Sequence, residues 1–219
     1  MHHPHLRLSS RVMPHRWALR GLLCLLLTLL PLYPAWASAL LQPQPGDVII
    51  GAQNAPVTMI EYASLSCPHC AQFHSNVLPA LKQQYIDTGK MRYIIRAFPH
   101  NEPALRAAML AECVGPEEYH TYLKVLFGSQ DKWAFDTHFL QSLATIAKVG
   151  GMSAQAFEQC MANSELEIRI LMSRKRALEE LNVNAVPTFF INGKIMQDTP
   201  DVAGFSHAID AALSGAVPQ

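Results

Sequence analysis

The sequence predicts an α/β fold interrupted by an inserted all-helical domain, and three observations predict it. An apolar, β-branched run over Val57–Ala63 leads through Cys67-Pro68-His69-Cys70 into a helical pattern, and a second strand-like run follows over residues 91–98. Residues 102–182 then carry helical patterns and almost no strand. Strand character returns at Thr188–Ile191, ahead of a closing amphipathic helix. Strands on both sides of a long helical block read as one sheet-based unit with an insertion.

Each element has a local reason. Residues 47–51 read as a short strand, and 54–56 as a turn into the main strand. After the cysteines, Phe73, Val77, Leu78 and Leu81 recur at three- and four-residue steps, which predicts a helix over residues 68–85. Pro79 falls inside it and should kink it, since proline has no N–H to give the helix. The 91–98 strand should pair in parallel with the strand before Cys67, joined by a right-handed crossover. Within the block, helices are expected over residues 104–113, 118–127, 136–149, 153–162 and 164–181, with Asp136 and Ser153 as N-caps. Asn192-Gly193 is a two-residue hairpin turn, returning through Lys194-Ile195-Met196. Val202, Phe205, Ile209 and Leu213 share one face of the last helix. The expected domain parts are 38–101, 102–182 and 183–219. The lead over 38–45 is expected to be mobile.

Residues 1–37 read as an export signal rather than as fold. Arg7, Arg11, Arg16 and Arg20 precede an apolar run over 21–30, and Ala35-Trp36-Ala37 supplies a small-residue cleavage site. The expectation is a periplasmic protein cut after Ala37, membrane-anchored if left uncut. Setting those four arginines aside, the 17 basic residues of the chain fall to 13 against 17 acidic ones. No basic stripe remains, which argues against nucleic-acid binding. Half of the 219 residues are hydrophobic, ample for a core. Cleavage would also remove one of five cysteines, leaving Cys67, Cys70, Cys113 and Cys160. Four cysteines allow three pairings. In an oxidising compartment a tight Cys67–Cys70 pair leaves Cys113 with Cys160, the alternative being two buried free thiols.

A Cys-x-x-Cys pair at a strand-to-helix junction is the local signature of a redox site. Cys67 is expected to cap the helix, where free backbone N–H groups and the positive end of the dipole favour a thiolate. Pro68 fits the first helical position. Cys70, one turn on, can close or open a disulfide with Cys67. His69 is expected to donate a hydrogen bond to the Cys67 sulfur or to act as a nearby cation. Glu61 could take or give the proton of Cys70 if buried, or be a simple edge-strand acid. His74 and His100 are expected at the surface or as capping residues. A second Cys-x-x-Cys is missing, so a zinc site is not expected, and no cofactor is called for.

Cys67-Pro68-His69-Cys70, the Val186-Pro187-Thr188 segment and the helical block between them resemble the bacterial DsbA family of exported thiol:disulfide oxidoreductases. The resemblance implies a thioredoxin-like fold split by a helical domain and a cis bond at Val186-Pro187. It implies that Pro187 keeps a backbone N–H away from the sulfurs, while Val186 offers its backbone to an extended substrate strand. It places Glu61 at the family's buried acid, with Arg92 and Arg96 near its basic partner. It also marks a departure: His74 stands where the best-known members carry a second acid. The implied function is a dithiol oxidase acting on unfolded exported proteins, monomeric and reoxidised by a membrane-bound thiol oxidase. The alternatives are a disulfide isomerase or reductase and, further off, a copper-binding chaperone using Cys67, His69 and Cys70.

Overall fold

The structure is a computed structural model that describes residues 39–197 and 200–215. The export segment and its cleavage site lie outside the described residues. No helix among the described residues is long and apolar enough to cross a membrane.

Five strands form one sheet: β1 (Ile49–Ile50), β2 (Val57–Ala63), β3 (Met91–Ala97), β4 (Thr188–Ile191) and β5 (Lys194–Ile195), in the order β1-β3-β2-β4-β5. All seven residues of β2 are buried. It pairs in parallel with β3, from Val57 opposite Met91 to Ala63 opposite Ala97, and antiparallel with β4, with Met59 opposite Ile191. A strand covered on both faces needs an almost continuous apolar run, as this sequence provides. Side chains alternate between faces. Val57, Met59 and Ala63 join Tyr93 and Ile95 in the larger core, whereas Ile60, Tyr62 and Ile94 join Phe98 and Phe190 in a smaller one. Glu61 therefore points to the larger core, and Arg92 and Arg96 to the opposite face.

The helix after the cysteines runs as α1 (Pro68–Gln72), a π segment (Phe73–Val77), α2 (Leu78–Leu81) and a second π segment (Lys82–Ile86). Pro79 sits in the first turn of α2, immediately after the first π segment. Pro79 thus follows a stretch of wider π winding and stands in a first turn, where a residue without an N–H is tolerated.

Between β3 and β4 come α3 (Glu102–Cys113), α4 (Pro116–Gly128), α5 (Gln130–Trp133), α6 (Phe139–Val149), α7 (Ala154–Met161) and α8 (Ser164–Glu180). The chain closes with α9 (Val202–Leu213). Ser153 caps α7 by accepting from the Ala156 N–H at 3.1 Å. Asp136 does not cap α6. His138 holds the N-cap position, and the Asp136 carboxylate accepts from its N–H at 2.9 Å from outside the helix. Cys113 and Cys160 are joined by a disulfide with Cα atoms 6.0 Å apart, tying the end of α3 to α7. Gly150 ends α6 against the Tyr122 ring, where a Cβ would come within 1.9 Å of the phenol oxygen.

The lead before β1 is held rather than loose. Arg96 makes a buried two-pronged pair with Asp47, at 2.7 and 3.0 Å, and donates to the Leu40 and Gln42 carbonyls. That fork geometry is a strong anchor for a charged pair out of water.

Candidate active site

The loop between β2 and α1 delivers Cys67 to the helix N-terminus. Cys67 is the N-cap, with φ −86° and ψ 120°, and Pro68 opens the helix. Both cysteines are unpaired in this reduced structure, with Cys67 6% and Cys70 0% exposed. Their environments drive the two thiols apart. The Cys70 thiol donates to the Cys67 sulfur, the backbone N–H groups of Cys70 and His69 add to it, and the His100 charge contributes, so that Cys67 falls to about 6 against the opposing effect of burial. Donating that bond, burial and the charges of Glu61 and Cys67 hold Cys70 protonated well above the ordinary thiol range. One sulfur is a ready thiolate, the other a ready thiol.

His69 acts here through its backbone. Its side chain is exposed, and ring Nδ1 pairs with Gln72 Oε1 at 3.3 Å instead of with sulfur. The imidazole whose charge reaches Cys67 belongs to His100, whose Nε2 lies 3.3 Å from Ser66 Oγ. Ser66 in turn donates to Asn101 Oδ1 at 3.0 Å, and Asn101 caps α3. His100 lies at the surface, as expected, and from there its ring contacts Ser66 and its charge adds to the field at Cys67.

Glu61 is fully buried on the side of the sheet that faces the active-site helix. One carboxylate oxygen accepts from the Tyr93 hydroxyl and lies 3.1 Å from His74 Nε2; the other has no partner. Burial, then the Glu61 charge, keeps the Tyr93 phenol protonated and donating. His74 is 8% exposed and stacks on Phe127 with centroids 4.0 Å apart, so the expectation of a surface histidine is overturned. Arg92 and Arg96 do not reach Glu61. Arg92 bonds Thr58 and Gln53, and Arg96 bonds Asp47. The basic partner of the buried acid is His74. Behind it, burial pushes the His120 imidazole down to about 4, so no second cation forms there near neutral pH.

Opposite the sulfurs, the Val186–Pro187 bond is cis. The Val186 carbonyl lies 3.6 Å from Cys67 Sγ, within reach of its S–H. A groove of about 570 Å³ opens beside this point, lined by His69, Phe73, Pro187, Phe189 and Met196. A larger cavity of about 780 Å³ between the N-terminal lead, β3 and α8 has neither cysteine in its wall. Gln130, which no sequence pattern singled out, reaches from α5 to the loop: its side-chain nitrogen donates to the carbonyls of Leu65 at 2.6 Å and Cys67 at 3.0 Å.

Comparison with known proteins agrees with this geometry. The family model described as Thioredoxin matches residues 43–211. The crystal structure of Wolbachia pipientis alpha-DsbA1 superposes with a TM-score of 0.77 at 36% identity, covering 82% of this chain and 96% of that one. Oxidised BdbD from Bacillus subtilis shares the fold, with a TM-score of 0.69 at 24% identity over 80% of this chain and 97% of that one. A Rickettsia typhi relative that carries the name of a protein-disulfide oxidoreductase is 32% identical over 168 residues, 76% of this chain and 62% of the relative. The chain spans about three-fifths of the length of the Rickettsia relatives it matches.

Proposed function

The chain belongs to the DsbA family of thioredoxin-fold proteins, and from that premise we propose that it is an exported dithiol oxidase that passes its Cys67–Cys70 disulfide to other exported proteins. The observation that carries this reading is the inequality of the two thiols. A stabilised Cys67 thiolate is a good leaving group, which favours giving a disulfide away over keeping it. In the oxidised enzyme a substrate thiolate attacks Cys67 Sγ. The Cys67–Cys70 bond breaks, and Cys70 leaves and takes up a proton. A second substrate thiolate then attacks the substrate sulfur of the mixed disulfide, and Cys67 departs as a thiolate. Two electrons pass from the substrate thiols to the pair, and a membrane-bound thiol oxidase removes them again. Val186 offers its carbonyl to an extended substrate segment, which displaces the Cys67 contact, and Pro187 presents no N–H to the sulfurs. The groove beside them, with Phe73, Val77, Phe189 and Met196 among polar residues in its wall, offers apolar contacts to unfolded clients. Export to the periplasm rests on the order of arginines, apolar run and small-residue site in 1–37. The protein acts as a monomer.

The reading is tested by equilibrating the pair against glutathione and by following a reduced, unfolded client. An oxidase forms client disulfides rapidly and equilibrates as a strong oxidant. Faster repair of scrambled disulfides than formation of new ones would make it an isomerase. A copper-binding chaperone would instead keep its cysteines reduced and bind the metal tightly.

Glu61 is the proposed proton donor to the departing Cys70, recharged by His74. Glu61→Gln keeps the volume and the Tyr93 contact but cannot carry the proton. Reduction of the disulfide by substrate thiols should slow by about 10²-fold, the low end for a positioned acid. Stopped-flow measurement of that step checks it, and an unchanged rate would remove Glu61 from the mechanism.

A further inference from the structure

The helical insertion hydrogen-bonds to the active-site loop through one buried amide. Gln130 is 8% exposed and opens α5. Its side-chain nitrogen donates to Leu65 and Cys67 carbonyls, which flank Ser66 and present themselves to the same side. Among the described residues, no other side chain from 116–182 is hydrogen-bonded to 64–70. The mount is stiff. Trp133, at the other end of α5, is wholly buried and donates to the Leu126 carbonyl at 3.0 Å, while the Ala134 N–H closes the turn onto the Gln130 carbonyl at 2.8 Å.

The Cys67 carbonyl also accepts the first helical bond, from the Ala71 N–H at 3.1 Å. Its peptide plane therefore has two fixed donors. That plane sets ψ of the capping residue, and hence whether Sγ faces the N–H groups of His69 and Cys70. Rotation of the plane would take the sulfur away from them while leaving the helix formed.

We propose that Gln130 is a positioning residue through which the helical insertion holds Cys67 in the orientation its disulfide chemistry requires. The inference rests on the dithiol reading above. It goes further in assigning the insertion a part in the reactivity of a cysteine that belongs to the other half of the fold. Gln130 carries no charge, so it acts on Cys67 through geometry alone.

The test is the absorbance titration of the Cys67 thiolate in the reduced full chain. Gln130→Met keeps the volume and removes both donors. It should lower the acid dissociation constant of Cys67 by about tenfold, the size of one hydrogen bond to a charged group. Gln130→Asn keeps an amide on a shorter arm and should fall between Gln130→Met and the natural chain; it also serves if Gln130→Met does not fold. Ile170→Val, a buried change elsewhere in the insertion, should lower the melting temperature without moving the titration. An unmoved titration in Gln130→Met and Gln130→Asn, or an equal shift in Ile170→Val, would overturn the inference and leave Gln130 as a partner for buried carbonyls. An ordinary thiol titration in the natural chain would instead overturn the dithiol reading itself.

Discussion

Cys67→Ser should abolish disulfide transfer, and Cys70→Ser should convert the protein into a trap. A serine hydroxyl neither forms a disulfide nor ionises near neutral pH, and Cys70 alone cannot replace the lost sulfur. It is wholly buried and held protonated, so a client cannot reach it and it offers no thiolate. Cys70→Ser leaves the accessible partner in place. Cys67 loses the thiol that contributes most to its low pKa, so it attacks client disulfides more slowly, yet the mixed disulfide it forms has no internal thiol to resolve it. Non-reducing gels of the Cys70→Ser protein mixed with a disulfide-bonded client should show a covalent adduct that dithiothreitol releases. Transfer surviving in Cys67→Ser, or no adduct with Cys70→Ser, would place the chemistry elsewhere.

The second large effect is a stability difference that grows with pH. Cys67 titrates at about 6 when folded and near ~8.5 when unfolded. A depressed folded value stabilises the reduced protein at high pH, and that stabilisation is lost as pH falls through about 6. At pH 7 it amounts to about 1.4 kcal/mol and near ~8.5 to about 3 kcal/mol. The oxidised protein has no thiolate, but its closed four-residue loop restrains the unfolded chain by about 2 kcal/mol. The two effects should cross at roughly pH 7.5. Cys70 works in the other direction above ~8.5, because the unfolded thiol then ionises while the buried one does not. The reduced form should therefore gain most over the oxidised form near ~8.5 and trail it below roughly pH 7.5. Melts of both forms from pH 5 to 9 measure this directly. A constant offset in favour of the oxidised form would mean that Cys67 is an ordinary thiol.

Short-range patterns carried much of this molecule in its sequence. The largely apolar run of β2, the Asn192-Gly193 turn and the Ser153 cap each depend on a few neighbouring residues, and each stands where those neighbours put it. The faces of β3 could not be matched to those of β2 without the pairing register: Glu61 stands opposite Ile95, which puts Arg92 and Arg96 on the other face. What was not readable depends on partners brought from afar. His74 looks like a surface residue until α4 supplies Phe127, and the π segments shift the helical phase that would have placed it. Gln130 sits on a helix of four residues, too short for any periodicity to mark. His69 lies inside the motif, yet its ring turns to Gln72 and its backbone does the work at the sulfur.

The central position of β2 also bears on the order in which the molecule is made. Its partners on the two sides, β3 and β4, are separated by the whole helical insertion, and Val186 follows Cys67 by 119 residues. A chain emerging from its N-terminus presents Cys24, then Cys67 and Cys70, then Cys113, then Cys160, and only at the end the strand that closes the sheet. Cys113 and Cys160 are consecutive cysteines in the chain, so their bond can be made as they emerge without reshuffling. Until β4 arrives, one edge of β2 is open and Cys67 faces no Val186 carbonyl. The carbonyl that contacts Cys67 is therefore missing from every unfinished copy, and the last strand to be made completes the surroundings of Cys67.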